Sequence, residues 1–140
     1  NGTGFVLMVT AAFRYFAQQK GGHLAVISSI AGTKGLGAAP AYSATKRFQN
    51  TYIDALEQLA HIQKLPIRFT DIRPGFVATG LLNDGKHYPM LMHTEKVARH
   101  IVCALEKKKR IVVIDWRYRI LVALWRLIPP FFWKRLPVRN

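Results

Sequence analysis

Apolar residues in this chain follow helical spacing in some stretches and form unbroken runs in others. Between Asn1 and Gln19 they recur at Phe5, Met8, Ala12 and Phe16, one face of a predicted helix. The unbroken run Leu24-Ala-Val-Ile27 predicts a buried strand over His23 to Ser28. Helical spacing returns from Ala41 to about Ile62, with Phe48, Tyr52, Leu56 and Leu59 on one face. Pro66 to Ile72 is a second strand-like run, followed by a loop with a candidate short helix to His93. A helix from Thr94 to about Lys107 and a strand from Arg110 to Ile114 complete the pattern. Near-continuous apolar strands alternating with amphipathic helices predict an α/β fold, a parallel sheet with covered faces. Only three strands occur, so an open sheet edge is expected, which favours association.

Past Ile114 the pattern changes, dividing residues 1–114 from a tail, 115–140. Asp115 to Ile128 predicts an amphipathic helix, with Asp115, Arg119 and Arg126 in one polar stripe. Ile120, Leu121, Leu124, Trp125 and Ile128 cover much of the rest, and Pro129-Pro130 stops the helix. The chain's net charge is +14, and +9 of it lies from Glu95 onward, where twelve Lys/Arg face three acids. Arg126 and Pro129 interrupt the apolar run, which falls short of the ~20 apolar residues of a membrane-spanning helix. Two roles stay open for residues 115–135: lying on an anionic membrane surface, or folding back over the domain or a partner. Nucleic acid is disfavoured, because the cations are interleaved with bulky aliphatics and no nucleic-acid module is recognised. The single Cys103 excludes an intrachain disulfide and sits in a helical pattern as a small core residue. The five histidines lack metal-ligand spacing.

The chemistry concentrates in Ala41-Tyr-Ser-Ala-Thr-Lys46. On a helix, Tyr42 and Lys46 stand one turn apart on one face. A free phenol ionises near ~10, and making it a base at neutral pH needs about 4 kcal/mol of differential stabilisation, part of which a neighbouring cation supplies. Ser29, thirteen residues before Tyr42, stands where the first strand ends, and Asn1 lies twenty-eight residues before Ser29. A second strand end carries Arg73-Pro-Gly-Phe-Val-Ala-Thr79.

With these elements in this order, the chain resembles the short-chain dehydrogenase/reductases, Rossmann-fold oxidoreductases that use NAD or NADP. The resemblance covers Asn1 to about Ile114 through Asn1-Gly-Thr-Gly4, the strand ending Ser28-Ser29, Tyr42-Ser-Ala-Thr-Lys46, the Pro74-Gly75 turn with Val77 and Thr79, and a final helix-strand unit. It implies that Tyr42 is the general acid/base at the substrate oxygen. Lys46 would favour the phenolate and hydrogen-bond the nicotinamide ribose. Ser29, preferred over Ser28 on the thirteen-residue interval, would polarise the substrate carbonyl as an oxyanion-hole donor does. Asn1 would hold a relay water. Pro74 and Gly75 would turn the chain over the nicotinamide, with Val77 main-chain groups on its carboxamide and Thr79 on carboxamide or phosphate.

The family's glycine-rich phosphate turn has no counterpart here. Gly32-Thr-Lys-Gly35-Leu-Gly37 lies between Ser29 and Tyr42, in a loop that lines the family's active site. The resemblance therefore implies the C-terminal half of a doubly wound parallel sheet, a partial Rossmann fold inactive by itself, followed by the amphipathic helix. It further implies a small carbonyl or alcohol substrate, a homo-oligomer through the helices 1–19 and 41–62, and a cytoplasmic location, with membrane association by the tail as a variant. Leu81, Leu82, Tyr88, Met90, Leu91 and Met92 either cover an apolar substrate or pack on the domain. A second functional reading is a catalytically silent association module acting through the helix pair and the basic tail.

Overall fold

A computed structural model describes residues 2–79, 88 and 90–138. The elements run α1 (Thr3–Gln18), β1 (Gly22–Ile27), a 3-10 turn (Ile30–Thr33), α2 (Pro40–Ile62), β2 (Ile67–Arg73), α3 (Thr94–Glu106), β3 (Ile111–Val113), α4 (Trp116–Leu127) and α5 (Pro130–Trp133). The strands lie in the order β1-β2-β3 and pair in parallel. Gly22 stands opposite Ile67 and Ile27 opposite Ile72, while Asp71 to Arg73 face Ile111 to Val113. This is the α/β architecture the apolar pattern predicts.

Helix boundaries follow local chemistry. Pro40 opens α2, where its missing N–H has no intrahelical partner to lose. Lys20, Lys64 and Lys108, just beyond α1, α2 and α3, adopt left-handed φ values of 53°, 55° and 47°. Around them Gly21, Leu65 and Lys109 N–H groups return to Phe16, Ala60 and Ala104 carbonyls at 3.0, 2.8 and 3.1 Å. Each turn is the one that usually takes glycine.

Strand alternation sends side chains to two cores. Leu24 and Val26 of β1 and Ile67 and Phe69 of β2 meet Val9 and Phe13 of α1 and Ile53, Leu56 and Ala60 of α2. Phe5 stacks edgewise on Phe48 and Tyr52, and Thr10 Oγ1 lies 2.6 Å from the Tyr52 hydroxyl, joining the two helices. On the other face Ile72, Val97, Ile114, Tyr118, Val122 and Trp125 form the second cluster. Each fully buried large side chain there contributes ~1.5–3 kcal/mol.

Several expectations change. In α1, Phe5, Ala12 and Phe16 of the expected stripe pack against the core, Val9 and Phe13 take its most buried positions, and Met8 alone of the stripe is exposed. Cys103 is exposed rather than a core residue, because Val97, Ile101, Ala104 and Leu105 define the buried side of α3 and position 103 falls opposite. The sheet is not covered throughout: Ala25 and Ile27 of β1 point to an exposed face. Asn1, Leu81 and Leu82 lie outside the described residues.

Candidate active site

The C-terminal ends of β1 and β2 are tied together past their ladder. Ser28 N–H donates to Ile72 O at 2.8 Å, and Ile30 N–H to Pro74 O at 3.1 Å. Ser29 is extended and caps the 3-10 turn, its Oγ accepting from Ala31 N–H at 3.1 Å. The same hydroxyl donates a long bond, 3.4 Å, to Pro74 O. Gly32 lets this turn press on α2, since a Cβ there would overlap the Asn50 side chain and the Lys46 carbonyl.

Tyr42 projects from the first turn of α2 and is 48% exposed. One turn on, Lys46 Nζ sits 5.8 Å from the centre of the Tyr42 ring and donates to Ile27 O at 3.3 Å. Thus the helical spacing brings the pair together, and the ammonium reaches the strand end two residues before Ser29. Burial lowers the Lys46 pKa below its ordinary value, and the Asp71 carboxylate acts in the opposite sense.

Beneath lies a polar cluster that sequence reasoning missed. Asp71 is fully buried, accepts from the Ser28 hydroxyl, and pairs with Arg73 at 2.6 Å. Asn50 Nδ2 donates to Asp71 at 2.8 Å and to Ser28 Oγ at 2.9 Å. A buried carboxylate is tolerated when donors and a guanidinium surround it. The cluster engages the Ser28 hydroxyl, whereas Ser29 holds its proton partner only at 3.4 Å. The available signal was an aspartate inside an otherwise strand-like run, Ile67-Arg-Phe-Thr-Asp-Ile72.

The turn after β2 is fixed by α4. The Tyr118 ring fills the space above Gly75 so closely that a Cβ would overlap it, and its hydroxyl accepts from Phe76 N–H at 3.1 Å. Val77 bridges Met92 in parallel through the neighbouring groups: Met92 N–H donates to Phe76 O at 3.0 Å and Ala78 N–H to Met92 O at 2.8 Å. That pattern turns the main-chain N–H and C=O of Val77 to the side away from Met92. Thr79 is exposed beside it. Met92 is a core residue, 3% exposed.

A second missed feature is the grip of the tail on the loop between Ser29 and Tyr42. Trp125 Nε1 donates to Thr33 Oγ1 at 2.9 Å, Trp133 Nε1 to Gly35 O at 2.7 Å, and Lys34 Nζ to Ile128 O at 2.7 Å. Lys34 also lies over the Trp133 ring at 5.2 Å. Tryptophan N–H groups near a core seek acceptors, but no spacing rule connects residues about a hundred positions apart. An open groove of about 570 Å³ borders this loop, lined by Gly32 to Gly37 and by Ser43 and Arg47, not by Tyr42, Lys46 or Ser29. Among the described residues no cluster of His, Cys, Asp and Glu is arranged to hold a metal.

Residues 1–88 match the family model described as short chain dehydrogenase. An uncharacterized oxidoreductase of Mycobacterium tuberculosis is 33% identical over 116 residues, 83% of this chain and 46% of that protein. Dehydrogenase/reductase SDR family member 7B of Bos taurus is 32% identical, over 97% of this chain and 45% of its own. The chain thus spans about half the length of the curated relatives it matches. In fold it is similar to a short chain dehydrogenase from Burkholderia cenocepacia solved in complex with NADP, at a TM-score of 0.76 and 16% identity, covering 96% of this chain and 55% of that one. With parallel strands, a Tyr-Lys pair at one strand end and a matching family model over most of its length, the chain belongs to the short chain dehydrogenase family of oxidoreductases.

Proposed function

We propose that this chain carries the catalytic half of an oxidoreductase that interconverts a carbonyl and an alcohol with NAD or NADP. The observation that carries the reading is the convergence at the strand ends. Lys46 lies by the Tyr42 ring and on Ile27 O, and the Ser29 hydroxyl, which accepts from Ala31 N–H, donates only a long bond to Pro74 O.

In the reducing direction Tyr42 gives its phenolic proton to the substrate oxygen as the alcohol forms; in the oxidising direction it removes that proton. Ser29 donates to the same oxygen and stabilises the charge that develops on it. Lys46 favours the phenolate electrostatically, and Asn1 holds the water that returns protons from solvent. The nicotinamide supplies or accepts the hydride when bound. The donor set suits it: the Lys46 ammonium for a ribose hydroxyl, the outward main-chain groups of Val77 for a carboxamide, the Thr79 hydroxyl for carboxamide or phosphate, and Pro74-Gly75 to shape the turn. The NADP held by the Burkholderia relative supports a nicotinamide cofactor and leaves the choice between NAD and NADP open. Leu7, Met8, Leu59 and Ile62, exposed on α1 and α2, support a homo-oligomer through these helices.

Replacing Tyr42 by Phe in the intact protein tests the assignment. Turnover, followed as nicotinamide oxidation with a panel of ketones, is expected to fall ~10²–10⁴-fold with the circular dichroism spectrum unchanged. A folded Y42F protein that keeps wild-type turnover would overturn the acid/base role and favour the association-module reading.

A further inference from the structure

We propose that the outward face of α4 and α5 docks on the surface of a bilayer containing anionic lipids. Helix α4 is apolar on two sides. Tyr118, Val122 and Trp125 are buried inward, whereas Trp116, Ile120, Leu124 and Leu127 are 65%, 51%, 59% and 78% exposed. At about 100° per residue these four fall within an arc of about 80°. Arg117 borders the arc on one side, Arg119 and Arg126 on the other. After Pro129, α5 adds Phe131 and Phe132, 61% and 59% exposed. A contiguous apolar row rimmed by charge marks a binding surface rather than scattered exposed residues.

Charge selects the occupant. From Trp116 to Asn140 the chain has six Lys/Arg and no Asp or Glu. A second copy seated face to face would oppose two cationic rims, which is unfavourable. Nucleic acid would meet the guanidinium groups and leave the aliphatic side chains Ile120, Leu124 and Leu127 in water. An anionic lipid surface satisfies both parts: headgroups take the arginines while the apolar row enters the boundary between headgroups and acyl chains. No helix among the described residues is long and apolar enough to cross a membrane, so the contact lies in the plane of the surface. Because the inner side of the same tail holds Thr33 and Gly35, docking places the loop between Ser29 and Tyr42 about one helix diameter, ~10 Å, from the lipid.

The test is flotation of the intact protein with extruded vesicles of phosphatidylcholine alone and of phosphatidylcholine with phosphatidylserine. Binding is expected to the mixed vesicles, weaker to the neutral ones, and reduced by salt. The triple variant I120S/L124S/L127S should lower partitioning by about tenfold or more, and R126E by about fivefold or more. Circular dichroism and sedimentation without lipid accompany each measurement. A folded wild-type protein that floats with neither vesicle, or a triple variant that binds as wild type does, overturns the proposal. So does a triple variant that loses a lipid-free dimer and leaves vesicle binding unaffected, which would assign the row to a second copy.

Discussion

Asp115 shows how much can hang on one side chain. It caps α4 by accepting from Arg117 N–H at 3.0 Å, receives the Arg117 guanidinium at 3.1 Å through two nitrogens, and meets Lys96 at 3.4 Å. Its backbone has φ 73°, a region that costs about 1–3 kcal/mol for a residue with a side chain and persists only where the surroundings enforce it. The Arg117 side chain holds the carboxyl well below the usual carboxylate range, against the opposing effect of burial. A carboxyl whose folded-state pKa is depressed adds stability above its unfolded value of ~3.9 and loses it as pH falls below that. Asp115→Ala is therefore expected to cost about 2 kcal/mol at pH 7, the cap supplying ~1 of it, by urea unfolding. The gap from wild type should begin to narrow below about pH 4 and keep narrowing toward the depressed folded-state pKa; a gap constant with pH would mean that the charge contributes nothing. At this scale Tyr42, Lys46 and Ser29 were legible because helix period and strand end place them without long-range knowledge. Asp71, Asn50 and the two tryptophans were not, since, Arg73 beside Asp71 apart, their hydrogen-bond partners lie from 21 to 98 positions away.

Among the elements, boundaries agree with the apolar pattern to within a residue or two, and the helix ends carry a stability lever. Lysine occupies the left-handed position after α1, α2 and α3, where a Cβ crowds the carbonyl. Lys64→Gly, in an exposed position after α2, is expected to raise stability by ~0.5–1 kcal/mol, the relief of strain exceeding the added freedom of the unfolded chain. A thermal melt that moves down instead would show that the Lys64 side chain makes a compensating contact. Helix α4 departs most from its sequence reading. Of the expected polar stripe, Arg119 and Arg126 are exposed while Asp115 is buried as the N-cap, and the apolar remainder divides into an inward set at Tyr118, Val122 and Trp125 and an outward row, so folding back and an exposed apolar face coexist on one helix.

On the scale of the whole molecule, the sheet has three strands, and β1 pairs only with β2 among the described residues. Among the described residues its outer edge pairs with no strand, Lys46 taking the Ile27 carbonyl, and Ile27 on its open face is 55% exposed. Such an edge recruits further strands. The 140-residue chain by itself is expected to self-associate as its concentration rises, and Ala25→Lys on β1 should suppress this in light scattering. A chain that stays monomeric at high concentration would mean that this edge is protected.

What the sequence determined alone are the quantities set by local period: an alternating α/β order, parallel strands, and a phenol and an ammonium one helical turn apart. Steric limits on the backbone and the burial of apolar runs suffice for those. Which serine hydroxyl is already engaged, how the Pro74 turn is braced by Tyr118, which side of the tail is buried and what its tryptophans hold were decided only in three dimensions. Those contacts depend on hydrogen-bond donors and acceptors meeting across distant segments, and composition and spacing do not encode such meetings.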